Sequence, residues 1–198
     1  SGAYFPTIGG GQSNTASANG TTVSGGSSNN ASGVNSTVGG GTTNTASGLN
    51  SAIGGGISNT ASGYYSAVSG GQNNTASGDK STIGGGYYNV ASAYNSTVGG
   101  GNSNEATSDY STIGGGQSNR ATAYGSIVSG GAGNIGSGVY STVSGGSSNT
   151  ASGYLYGKST VGGGYENTAS ADYSTISGGN GNTASGNVST IGGGQQHT

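Results

Sequence analysis

The stretch STVGGGTTNTASG, Ser36–Gly48, recurs with small changes along the whole 198-residue chain. Its Ile or Val followed by Gly/Ser-Gly-Gly stands at Ile8, Val23, Val38, Ile53, Val68, Ile83, Val98, Ile113, Val128 and Val143, each step being 15 residues. One step of 18 leads to Val161, and Ile176 and Ile191 resume the period of 15. Counted from the Ile/Val as place 1, the unit is [IV]-[GS]-G-G-x-x-N-T-A-S-G-x-x-S-T. Without the period, 48 glycines, 28% hydrophobic and 4% charged residues would read as disorder. A disordered chain needs no register over thirteen units, whereas stacked coils do.

Each unit divides by its local chemistry. Ser-Thr-Ile/Val, places 14 to 1, is β-branched at two places and predicts a short strand; Asn-Thr-Ala-Ser, places 7 to 10, predicts a second. The glycines at places 3 and 4 supply one corner, and place 11 with the variable pair after it the other. Two strands and two corners make one coil, with coils about 4.8 Å apart in parallel register. The expectation is an all-β parallel β-solenoid of thirteen coils without helices, one repeat domain over 1–198. Both ends fall within partial coils, which predicts a piece of a longer array or ends that abut other subunits.

Alternation assigns the faces. The thirteen Ile/Val residues named above form the predicted inner column. Place 9 is Ala in every complete coil but one, Gly136, and also points in, whereas place 8 accepts Val90, Glu105, Arg120 and Ile135 and so points out. Place 7 predicts an inward ladder of stacked amides: Asn14, Asn29, Asn44, Asn59, Asn74, Asn89, Asn104, Asn119, Asn134, Asn149, Asn167 and Asn182. The charged residues fall at variable places, which reads them as solvent-facing. The 13 Tyr also avoid inner places. Nine are assigned to one edge, at places 12 and 13: Tyr4, Tyr64, Tyr65, Tyr94, Tyr110, Tyr124, Tyr140, Tyr154 and Tyr173. Tyr87, Tyr88 and Tyr165 fall on the opposite edge. This edge is the candidate adhesive or assembly surface, since an exposed phenol offers a flat apolar face with a polar handle. The three extra residues lie within 153–158, where a bulge carrying Leu155 or Tyr156 outward would leave the strands in register.

The repeats resemble the YadA-like head repeats of trimeric autotransporter adhesins, through S-T-V-G-G-G-x-x-N-T-A-S-G at Ser36–Gly48 and its counterparts. That resemblance implies a left-handed parallel β-roll, a homotrimer, and attachment from a bacterial cell surface. The Gly-Gly-Gly-x-x-Asn-Thr-Ala-Ser run is also similar to repeats of phage tail-fibre-type proteins.

Other chemistry is scarce. Gly-Gly-Gly lacks the Lys-Ser/Thr and the following helix of a phosphate loop. A calcium-binding β-roll needs an Asp in every turn, where these turns carry Asn. His197 stands in the Asn column without acidic, Ser or Cys partners. Three Lys/Arg cannot neutralise a phosphate backbone, so nucleic acid is not an expected partner. No apolar run has the roughly 20 residues of a membrane span. Sequons at Asn19, Asn30, Asn35, Asn73, Asn95 and Asn187 are of the kind an Asn/Ser/Thr-rich repeat produces by chance. The reading is a non-enzymatic segment of an extracellular or cell-surface fibre without cofactors, self-associating as a homotrimer or filament, and touching host or matrix molecules or glycans. A phage-type tail-fibre shaft is the alternative, and an ice-binding solenoid, from the Thr-x-Ser array at Thr45/Ser47 and its equivalents, a third.

Overall fold

The computed structural model describes residues 5–198 and contains, among them, only two-residue strands and no helix. The chain divides into two compact units, Ser1–Asn95 and Ser96–Thr198. Each is a parallel β-solenoid of coils about 15 residues long.

In the first unit one sheet consists of Thr7–Ile8, Thr22–Val23, Thr37–Val38, Ala52–Ile53, Ala67–Val68 and Thr82–Ile83. The other consists of Thr15–Ala16, Asn30–Ala31, Thr45–Ala46, Thr60–Ala61, Thr75–Ala76 and Val90–Ala91. The second unit repeats this from Thr97–Val98 to Thr190–Ile191 and from Glu105–Ala106 to Thr183–Ala184. Register follows the repeat: Val23 opposes Val38, and Ala31 opposes Ala46. It survives the long step, where Val143 opposes Val161 and Ala151 opposes Ala169. A third line of parallel bridges runs at place 5, from Gln12 to Tyr87 in the first unit and from Asn102 to Gln195 in the second. The second strand is shorter than the four residues read from the sequence, but its ladder reaches further. Thr45 N–H donates to Asn59 O at 2.8 Å, and Ser47 N–H to Ala61 O at 2.9 Å.

The corners depend on left-handed backbone at three places per coil. At place 4 glycine has φ between +80° and +106°, and an added Cβ there would run into the carbonyl oxygen of the next coil's glycine. Places 6 and 13 are left-handed too, yet mostly not glycine: Ser28 has φ 56°, Tyr65 59° and Lys80 57°. Left-handed backbone costs about 1–2 kcal/mol at a non-glycine residue, and here the twist turns the N–H round. Ladder N–H groups reach forward to the next coil, whereas Ser28 N–H donates back to Gln12 O at 2.9 Å and Tyr65 N–H back to Leu49 O at 2.8 Å. Those corner amides thereby find acceptors that a right-handed residue would not reach.

The interior is thin and half polar. Its buried side chains are Val/Ile at place 1, Ala at place 9, Ser (Thr in one coil) at place 14 and Asn at place 7, nearly all 0% exposed. Four of the side chains assigned inward depart from this, Ala16 being half-buried. Ile8 is 49% exposed, and Asn14 and Ile191 are half-buried. A solenoid side chain is covered by the coils on both sides of it; Ile8 is stacked on Val23 and Ile191 on Ile176, with no second strand over either among the described residues.

The buried amides form the strongest polar element. Asn59 Nδ2 donates to Gly55 O (3.1 Å) in its own coil, to Gly71 O (2.8 Å) in the next and to Asn44 Oδ1 (3.1 Å) in the preceding one. Its Oδ1 accepts from Asn74 N–H at 3.0 Å. The pattern recurs from Asn14 to Asn89 and from Asn104 to Asn182. His197 continues it with backbone alone, its N–H donating to Asn182 Oδ1 at 2.9 Å.

Candidate functional site: the tyrosine edge

Side chains at places 12 and 13 cannot enter the coil, because the left-handed residue at 13 and the buried place 14 fix the chain direction on either side. Large groups there must stand on the surface.

In the first unit Tyr64 and Tyr65 are both 57% exposed. Asp79, in the next coil, clips this corner by accepting Tyr64 N–H at 2.9 Å. Tyr94 is half-buried, because Lys80 lies over it: Nζ is 2.8 Å from the phenol oxygen and 5.0 Å from the ring centroid. The hydrogen bond from Lys80, then its charge, lowers the Tyr94 pKa below the usual value. On the opposite edge Tyr87 and Tyr88 meet edge to face, centroids 4.3 Å apart, and crowding followed by the Tyr88 phenol raises the Tyr87 pKa. Tyr4 lies outside the described residues.

In the second unit Tyr110, Tyr124 and Tyr140 form a row, with centroids 5.3 Å and 5.5 Å apart. Partial desolvation, then the flanking Tyr140 and Tyr110, raises the Tyr124 pKa. The bulge follows. Lys158 N–H donates to Val139 O at 2.7 Å, the bond made by place 13, so Gly157 and Lys158 resume the coil at places 12 and 13. The extra residues are therefore Tyr154, Leu155 and Tyr156, which stand out 88%, 70% and 66% exposed. This corrects the placing of Tyr154 on the edge: it sits in the bulge, since place 12 is taken by Gly157, whose left-handed backbone (φ 57°) leaves no room for a Cβ beside Val139.

Asp172 also departs from the solvent-facing reading, being 6% exposed. Its Oδ1 accepts the N–H of Leu155 and of Gly157, both at 3.0 Å, which anchors the base of the bulge. Tyr156 then lies over Tyr173, rings 6.5 Å apart and 29° from parallel, with Lys158 Nζ 5.6 Å from the Tyr173 centroid. Val188, 72% exposed at place 13, extends the same strip and was not among the residues singled out by sequence, which followed aromatic side chains only. On the second sheet's outer face Arg120 Nε meets Glu105 Oε2 at 3.2 Å, an exposed pair contributing about 0.2–1 kcal/mol.

Among the described residues no group of three or more His, Cys, Asp or Glu comes together, and no helix is long and apolar enough to cross a membrane. Each unit offers rings, hydroxyls and a cationic amine at its corners, which suits non-covalent contact. No protein-family model matches this chain, and no curated protein does.

Proposed function

We propose that this chain is a non-catalytic segment of an extracellular or cell-surface fibre, and that its tyrosine edge makes the attachment contacts. The observation that supports this reading is the distribution of size. The interior holds nothing larger than Ile, while Tyr64, Tyr65, Tyr140, Tyr154 and Tyr156 stand more than half exposed at the corners. Burying large rings is the usual route to stability, so a fold that places them outside and fills its core with Asn, Ser and Ala has them available for recognition. Phenols on a rigid backbone lose little entropy on binding. The partners proposed are surface glycans or matrix proteins. Replacing Tyr64, Tyr65, Tyr140 and Tyr154 with Ser is expected to reduce retention on immobilised glycans and matrix proteins at least tenfold, with circular dichroism unchanged. Undiminished retention by a folded variant contradicts the reading.

A further inference from the structure

Tyr110, Tyr124 and Tyr140 stand on three successive coils of the second unit, at places 13, 12 and 13. Their ring centroids are 5.3 Å and 5.5 Å apart, and the residues are 47%, 42% and 53% exposed. The second contact depends on Gly125. A Cβ added there would fall 2.7 Å from Tyr140 Cδ1 and 2.8 Å from Cε1, so the Tyr140 ring lies where a side chain at place 13 would stand. The coil itself does not require that glycine: the same left-handed position carries Asn35 (φ 55°), Lys80 (φ 57°) and Val188 (φ 61°). Backbone bonds hold the corner, with Gly125 N–H donating to Asp109 O and Tyr140 N–H to Tyr124 O, both at 2.9 Å.

Phenols held together in this way are placed for covalent chemistry. Removing one electron and the hydroxyl proton from a tyrosine leaves a neutral radical, its unpaired spin shared between the oxygen and the ortho and para ring carbons. The para carbon bears the rest of the side chain, which leaves the ortho carbon, Cε, as the open coupling position. Radicals on separate chains must meet by diffusion. Two on adjacent coils are already side by side, and proximity of that kind raises rates by orders of magnitude. Small rotations of exposed side chains, on the ps–ns scale, suffice to bring two Cε atoms together.

We propose that Tyr124 and Tyr140 form a site of oxidative coupling, joined Cε to Cε across adjacent coils when the chain meets a haem peroxidase and hydrogen peroxide. One peroxide takes one electron and one proton from each phenol and leaves as two waters. One Cε–Cε bond forms; the two Cε–H bonds at the joined carbons break, and their protons pass through water to the phenol oxygens, which restores both rings. The product keeps both hydroxyls and is two hydrogens lighter than the parent chain. It fastens two successive coils of the second unit independently of their hydrogen-bonded ladder. Tyr87 and Tyr88 are closer, at 4.3 Å, but they are neighbours in the chain, so a bond between them fastens no coils. The proposal goes beyond the fibre reading. It is read by a mapped covalent bond, whereas the attachment test reads retention on a surface, so either can fail alone.

The test treats the parent chain with a haem peroxidase and less than one equivalent of hydrogen peroxide, isolates the monomer and maps linked peptides by mass. Among links between different coils, Tyr124–Tyr140 should dominate, with a yield unchanged over a hundredfold range of protein concentration. Gly125→Asn introduces the residue that Asn35, Asn50 and Asn95 supply at the same place, keeps every phenol and displaces the Tyr140 ring. It should lower the Tyr124–Tyr140 link at least fivefold, with circular dichroism unchanged. Should that variant perturb the fold, the parent unfolded in urea replaces it, and its link should fall by the same factor. A Tyr124–Tyr140 yield that rises with concentration, or that persists undiminished in folded Gly125→Asn or in the unfolded parent, overturns the proposal. Links led by Tyr110–Tyr124, or by Tyr154 at 88% exposure, overturn it too, the latter by showing that exposure rather than the row decides coupling.

Discussion

At the scale of single residues, Asn59 carries more than any aliphatic side chain. Shortening Val68 to Ala removes two buried methylenes' worth of surface, about 1.5–2.5 kcal/mol with its cavity. Asn59→Ala orphans the buried N–H of Asn74 and the carbonyl of Gly55, each at about 1–3 kcal/mol, and leaves Gly71 O with only the Ile57 N–H. Chemical denaturation should therefore rank Asn59→Ala as the more destabilising, by at least about 1 kcal/mol; the reverse order would place stability in the aliphatic column. A second single-residue expectation concerns Tyr94. Because Lys80 lowers its folded pKa, the folded state favours the phenolate. Its small contribution is present above the unfolded pKa near 10 and lost as pH falls through the lower folded value. A phenolate absorbance titration should show one tyrosine ionising early, and Lys80→Met should return it to the others. No change in Lys80→Met would remove the lysine from the account.

At the scale of the coil, the bulge depends on Asp172. Its carboxylate accepts from Leu155 and Gly157, and hydrogen bonds to charged groups contribute about 1.5–3 kcal/mol. Asp172→Ala is expected to lose amide-exchange protection at Gly157 while Val143 and Val161 keep theirs; protection lost on both strands would mean that the bulge supports the stack. Much of the coil is legible in the sequence, because an exact period ties each place to one environment. Val68 and Ala76 are assigned inward by alternation together with the substitutions accepted at neighbouring places, and both are buried. The corners are less legible. Ser, Tyr, Lys and Glu at places 6 and 13 give no sign of left-handed backbone, which is imposed by the hydrogen bond to the preceding coil rather than by propensity. Tyr154 is misplaced for the same reason: only the Lys158 bond to Val139 shows where the coil resumes. Asp172 resembles any surface carboxylate until the bulge's amides are seen around it.

At the scale of the whole molecule, the chain separates its tasks by place within the coil. Amides and small side chains hold each unit together, glycines turn one corner, and large rings stand on the surface. The rings serve attachment on this account. Nitration of tyrosine by tetranitromethane, mapped by peptide mass for Tyr65, Tyr140, Tyr154 and Tyr173, tests that division most directly. The account predicts that these rings react freely in the unbound chain and are protected once it is bound to a glycan- or matrix-coated surface. Undiminished reactivity of these rings in the surface-bound chain would contradict it.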